Sequence, residues 1–132
     1  MNLYELTLKA ANDLSIYKNP DISEWIAAIN PILIAMGHNE ITEYDTVTEI
    51  DVYSSFVSIR VEGIGKLYGN ADFFEIPLSV LKAANPIKEA KIDSVCIGIQ
   101  KTKKKIQEIE KDMAFYQNLL VTQQTKLQEL LK

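Results

Sequence analysis

One cysteine, one histidine and no long apolar run set the first limits on this 132-residue chain. Cys96 alone rules out an intrachain disulfide and any paired-thiol motif. No stretch of about 18 apolar residues exists, which excludes a transmembrane helix. The first residues, Met1-Asn2-Leu3-Tyr4-Glu5, lack the basic region and apolar core of a signal peptide, so a cytoplasmic location is expected. Lysine and arginine are missing altogether between Lys18 and Arg60, where seven acids stand. Attraction to phosphates needs basic side chains, so nucleic-acid binding through this region is disfavoured.

What is present is the composition of a folded protein, with 47% hydrophobic and 24% charged residues. The net charge of −4 hides an asymmetry. Residues 1–90 carry 6 Lys/Arg against 13 Asp/Glu, a net of −7, and residues 91–132 carry 8 against 5, a net of +3. The length allows one modest domain with an extension. Such a small body is marginal alone, and self-association would support it.

Leu3, Leu6, Ala10 and Leu14 recur at helical spacing, so residues 2–15 read as a first helix. Asn19-Pro20 interrupts, and Asp21 with Glu24 forms a capping-box pattern. Ile22, Trp25, Ile26 and Ile29 then make an apolar stripe. Pro31, with Asn30 before it, fits the start of a further short helix ending at Gly37. The alternative is one kinked helix over residues 21–36.

From residue 40 the pattern changes. Thr42, Thr46, Val47, Thr48, Ile50, Val52 and Tyr53 favour strand. Val57, Ile59 and Val61 alternate with polar residues, the period of a half-buried strand. A turn is expected at Tyr53-Ser54-Ser55, a bulge or bend near Gly63 and Gly65, and strand continuing through Leu67-Tyr68. After a turn over residues 69–72, Phe73 to Ile76 read as a third strand that Pro77 ends. A short helix through Leu81 follows.

Asn85-Pro86 reads as a cap with proline at the first helical position, opening the longest element. Ile92, Ile99, Ile106, Met113, Leu120 and Leu127 occupy every a position of a heptad, and Val95, Ile109, Tyr116 and Leu130 four of its six d positions. Thr102 and Gln123 are the polar d residues. A helix of this pattern is built to associate with other helices. Gly98 weakens it, and residues 95–99 also fit a buried strand. A hairpin near Asn118 is a third layout, without a Gly or Pro to support it. The expected fold is α+β: N-terminal helices on a small antiparallel β-meander, with a body over residues 1–84 and an oligomerisation helix over 85–132.

No catalytic constellation stands out. Cys96 has no activating neighbour and reads as a buried structural thiol at a seam-flanking e position. His38 reads as a solvent-facing loop residue, and His38, Glu40 and Glu43 match no metal-ligand spacing. Gly63-Ile64-Gly65 lacks the third glycine and following helix of a phosphate-binding loop. No metal, cofactor or enzymatic activity is therefore expected.

Two charged stretches remain. Lys101, Lys103, Lys104 and Lys105 suit contact with nucleic acid or an acidic partner, or a solvated outer face, and Lys105 at g pairs with Glu110 at e of a parallel neighbour. Residues 40–51 hold five acids without a basic neighbour. Glu43, Asp45, Glu49 and Asp51 are the candidate set for docking on a basic protein surface, against protection of an edge strand.

Phe73-Phe74-Glu75-Ile76-Pro77, Leu81, Asn85-Pro86-Ile87 and Ala90-Lys91, followed by a charged helix, resemble small bacteriophage-encoded accessory proteins over residues 73–105. The resemblance carries no catalytic motif and transfers no functional residue. It implies a context: a phage or mobile-element factor that binds and blocks host machinery, such as restriction or CRISPR-type defence. The apolar N-terminal helices and the regular heptads depart from that group. Other expectations are an assembly scaffold or chaperone working through the helix, and a sequestering protein with ligand pockets between protomers near Tyr53, Phe56, Tyr68 and Phe74.

Overall fold

A computed structural model describes residues 1–63 and 71–132, so the expectations for Gly65, Leu67-Tyr68 and Gly69-Asn70 lie outside the described residues. The chain forms two compact units, Met1–Ser94 and Val95–Lys132. The class is α+β, with N-terminal helices, a three-stranded antiparallel sheet and a long C-terminal helix.

Helix α1 (Leu3–Ile16) opens where Asn2 Oδ1 accepts the Glu5 amide at 2.8 Å, satisfying one orphan donor of the first turn. Its inward face includes a polar residue that periodicity alone misses. Thr7 is fully buried, accepts the Trp25 indole N–H at 3.0 Å and donates to the Leu3 carbonyl at 2.8 Å. Burying an indole leaves its N–H in need of an acceptor, and Thr7 supplies one.

Helix α2 (Ser23–Ala35) runs unbroken through Pro31, so of the two layouts the single helix is the one that forms, and the separate helix starting there is corrected. Two facts explain it. The proline is exposed, as is Ala27, whose carbonyl loses its usual i+4 donor. Asn30 does not cap a helix. Its side-chain amide donates to the Ile41 carbonyl at 2.9 Å and accepts the Ile41 amide at 2.7 Å, tying α2 to the approach to the sheet. The cap at the start also differs from the capping box: Asp21 accepts from the Ser23 amide at 3.0 Å and hydroxyl at 2.6 Å. These bonds favour the carboxylate and hold its pKa below the ordinary 3.8. At the other end Gly37 (φ +85°) takes the left-handed position of a Schellman motif, with His38 N–H donating to Leu33 O at 2.8 Å and Gly37 N–H to Ile34 O at 3.0 Å.

Strands β1 (Asp45–Val52), β2 (Phe56–Gly63) and β3 (Asp72–Pro77) form a meander in the order β1-β2-β3. The bulge sits in β1, where pairing passes from Val47↔Val61 to Glu49↔Arg60 and leaves Thr48 as the extra residue. A one-residue slip reverses the faces of everything beyond it. It therefore turns Ile50 inward beside Val47 and sends Glu49 and Asp51 outward. The inner face carries Val47, Ile50, Val57, Ile59, Val61, Phe74 and Ile76, against Ala10 of α1 and Trp25, Ile29, Ile32 and Leu33 of α2. Helix α3 (Leu78–Leu81), opened by Pro77, buries Val80 and Leu81 in the same core.

Helix α4 (Pro86–Leu130) is continuous for 45 residues, about 67 Å at ~1.5 Å per residue. Asn85 Oδ1 accepts the Lys88 amide at 3.2 Å, and Ala90 joins the core of the first unit. The strand alternative over residues 95–99 and the hairpin near Asn118 are both excluded by this continuity.

Candidate functional site

Within the first unit, register decides which charges meet. On the outer face of the sheet Glu49 pairs across from Arg60, Asp51 from Ser58, Ser58 from Glu75 and Arg60 from Phe73. The acidic strand thus has a basic neighbour after all, which the spacing in sequence concealed. Arg60 Nη2 lies 3.1 Å from Glu62 Oε1, and its guanidinium carbon is 5.7 Å from the centroid of the Phe73 ring. Both contacts orient the guanidinium.

The result is a central Arg60–Phe73 pair with Glu49, Asp51, Glu62 and Glu75 on the same face, one positive charge against four negative. Phe73 is 63% exposed. A large aromatic ring beside an arginine is the composition of an interface anchor, and the acids supply a surrounding field. Sequence reasoning missed Glu62, Glu75, Arg60 and Phe73 as members of this surface. Alternation in β2 and β3 was the available signal, but the pairing register was needed to use it.

The four acids singled out from the sequence are divided. Glu49 and Asp51 are exposed on the outer face, and Glu43 is exposed in the turn before β1. Asp45 is half-buried at the start of β1, where its carboxylate accepts the Thr42 amide at 2.9 Å and hydroxyl at 3.0 Å. That turn occupies one of its oxygens.

The aromatic residues expected near a ligand are also divided. Tyr53 and Phe56 stack at 4.8 Å beside the β1–β2 turn, while Phe74 is buried on the inner face and Tyr68 lies outside the described residues. His38 is half-buried rather than solvent-facing, with its ring 5.0 Å from that of Phe74. Among the described residues no three His, Cys, Asp or Glu side chains gather as a metal site.

In the second unit the heptad seam is in the open. Val95, Ile99, Ile106, Ile109, Met113, Tyr116, Leu120, Leu127 and Leu130 are all exposed, Ile106 at 49%, and so is Ile92 at the end of the first unit. Cys96 is exposed too, so the reading of a buried thiol is corrected. An e position is covered only when a second helix lies on the seam. Apolar exposure reaches beyond a and d, to Ile97, Phe115, Leu119 and Val121. Among the described residues no helix is long and apolar enough to cross a membrane.

Comparison of the chain with protein-family models, with curated proteins and with solved structures finds no match in any of the three.

Proposed function

We propose that this chain is a non-enzymatic interaction protein, an accessory factor of a phage or mobile element that captures and inhibits a host protein in the host cytoplasm. The observation that carries the reading is the outer sheet face, where exposed Phe73 and half-buried Arg60 share a face with four carboxylates. An apolar anchor within a negative field suits a partner that presents a pocket in a basic surface. Defence effectors that grip nucleic acid, of the CRISPR or restriction type, have surfaces of that sign. The exposed seam of α4 supports self-association, which would present two copies of the face and raise avidity.

The test is affinity purification from a bacterial host, comparing the wild-type chain with Phe73→Ala and Glu49→Lys/Asp51→Lys. A host protein retained by the wild type and lost from both variants supports the reading. Equal retention by all three removes this face as the contact.

The continuous exposed seam of α4 favours a second reading, an assembly scaffold or chaperone whose working surface is the helix. Ile106→Asp in the full chain separates the two. A scaffold loses all activity, whereas an inhibitor that binds through its sheet keeps the contact with weaker avidity.

A further inference from the structure

The sign pattern along α4 selects how a second copy would lie on it. The helix is continuous through Gly98, so one heptad register holds from Val95 to Leu130. In that register Lys103 and Glu110 are e residues, and Lys105 and Asp112 are g residues. Basic flanks come first and acidic flanks one heptad later. Lys101 and Lys105 also stand four apart on one helix, where like charges repel.

We propose that the seam of the second unit from Val95 to Leu120 is covered by the same stretch of a second copy running antiparallel, with the two-fold axis between Gln107 and Glu108. The proposal rests on the self-association invoked above and adds orientation and register. In an antiparallel pair a faces d, e faces e and g faces g. The layers become Ile106 on Ile109 of the partner subunit, Thr102 on the partner's Met113, Ile99 on the partner's Tyr116 and Val95 on the partner's Leu120, each occurring twice. Thr102, polar in this seam, fits because its hydroxyl already donates to the Gly98 carbonyl at 3.0 Å, leaving its methyl for the interface. On the flanks Lys103 meets the partner's Glu110 and Lys105 the partner's Asp112, four attractive pairs in all.

Neighbouring registers fail on the same charges. A shift that centres the axis one half-heptad earlier sets Lys103 on the partner's Lys103 and Lys105 on the partner's Lys105. The opposite shift sets Glu110 on the partner's Glu110 and Asp112 on the partner's Asp112. Like charges placed together are unfavourable, and the helices slide away from both arrangements. A register centred near Asn118 covers Leu127 and Leu130 in place of Val95 and Ile99, but its flanks hold only the Asp112 pair with the partner's Lys126, two attractive pairs against four. A parallel pair keeps Lys105 with the partner's Glu110, two attractive pairs against four, and sets Lys103 and Lys105 of both chains at one level.

Cysteine cross-linking tests this directly. Cys96 at e faces Gln117 at e of the partner in the antiparallel register. The full-length Gln117→Cys variant, treated with a short bis-maleimide, is expected to run as a cross-linked dimer. Within one helix these positions are about 31 Å apart, out of reach of the reagent. The companion variant Cys96→Ser/Gln123→Cys places the thiol at d, where it meets itself in a parallel pair. In the antiparallel pair the two copies are about 46 Å apart and no cross-link is expected. Cross-linking of the companion, or of neither variant in a protein that is dimeric by mass, overturns the antiparallel register and leaves the proposed function standing. A monomeric mass for both variants and the wild type overturns the self-association as well. Capture of a host protein through the sheet is read separately by the purification described above.

Discussion

Ile59 and Ile106 are the same side chain in opposite circumstances. Ile59, in the central strand, is fully buried, while Ile106, in the middle of α4, is half in solvent. In the first unit the apolar residues of the inner sheet face are covered within the chain, and the buried Trp25 N–H finds its acceptor in Thr7. In the second unit an equally regular apolar pattern is left in the open. An exposed apolar seam of that length marks a surface suited to interaction. The contrast separates residues that hold the fold from residues available for association.

The largest expected effect lies on the buried side of the contrast. Ile59→Ala should lower the unfolding free energy of the first unit by about 2–5 kcal/mol, through lost burial and the cavity left behind. Urea unfolding followed by fluorescence of the single tryptophan, Trp25, measures it. A loss as small as that of a surface substitution would break the distinction. Thr7→Val comes next at about 1–3 kcal/mol, because the shape is kept while the Trp25 N–H loses its acceptor. The same denaturation experiment detects it.

The helical side gives a smaller, opposite effect. A Cβ built at Gly98 meets nothing within 4 Å. Gly98→Ala should therefore stabilise α4 by about 1 kcal/mol, seen as a higher helix-melting temperature by circular dichroism. An unchanged or lower melting temperature would show that Gly98 is required where it stands. The smallest effect concerns Asp21, whose carboxyl is held below the ordinary range by its bonds to Ser23. A depressed folded pKa contributes stability that is complete above the unfolded value of 3.8 and is lost as pH falls through the folded value. Asp21→Asn should flatten that acid limb in a pH titration of stability.

Much of this contrast is legible in the residues. The caps at Asn85 and Gly37, the alternation in β2 and the heptads of α4 each follow a local rule, and the structure forms the elements they announce. Pro31 leaves two layouts open, and the chain takes the single helix, where the Ala27 carbonyl that loses its donor can be met by water. Ala27 and Pro31 are both exposed. The bulge at Thr48 carries no glycine to announce it, yet it decides which way Glu49 and Asp51 point. Arg60 joined the acidic face only through cross-strand pairing, a relation between residues eleven apart in the chain that no local pattern encodes. Glu49 and Asp51 lie on one face for that reason, and Phe73 joins them through a register that alternation alone does not give.

The open seam is tested most directly by the solution mass of the intact chain. Sedimentation equilibrium at micromolar concentration is expected to give twice the 14.9 kDa of one chain, and the Ile106→Asp variant, with a carboxylate on the seam, is expected to return to a single chain. A wild-type protein that stays at 14.9 kDa across the concentration range would contradict the reading of α4 as a surface for a second copy.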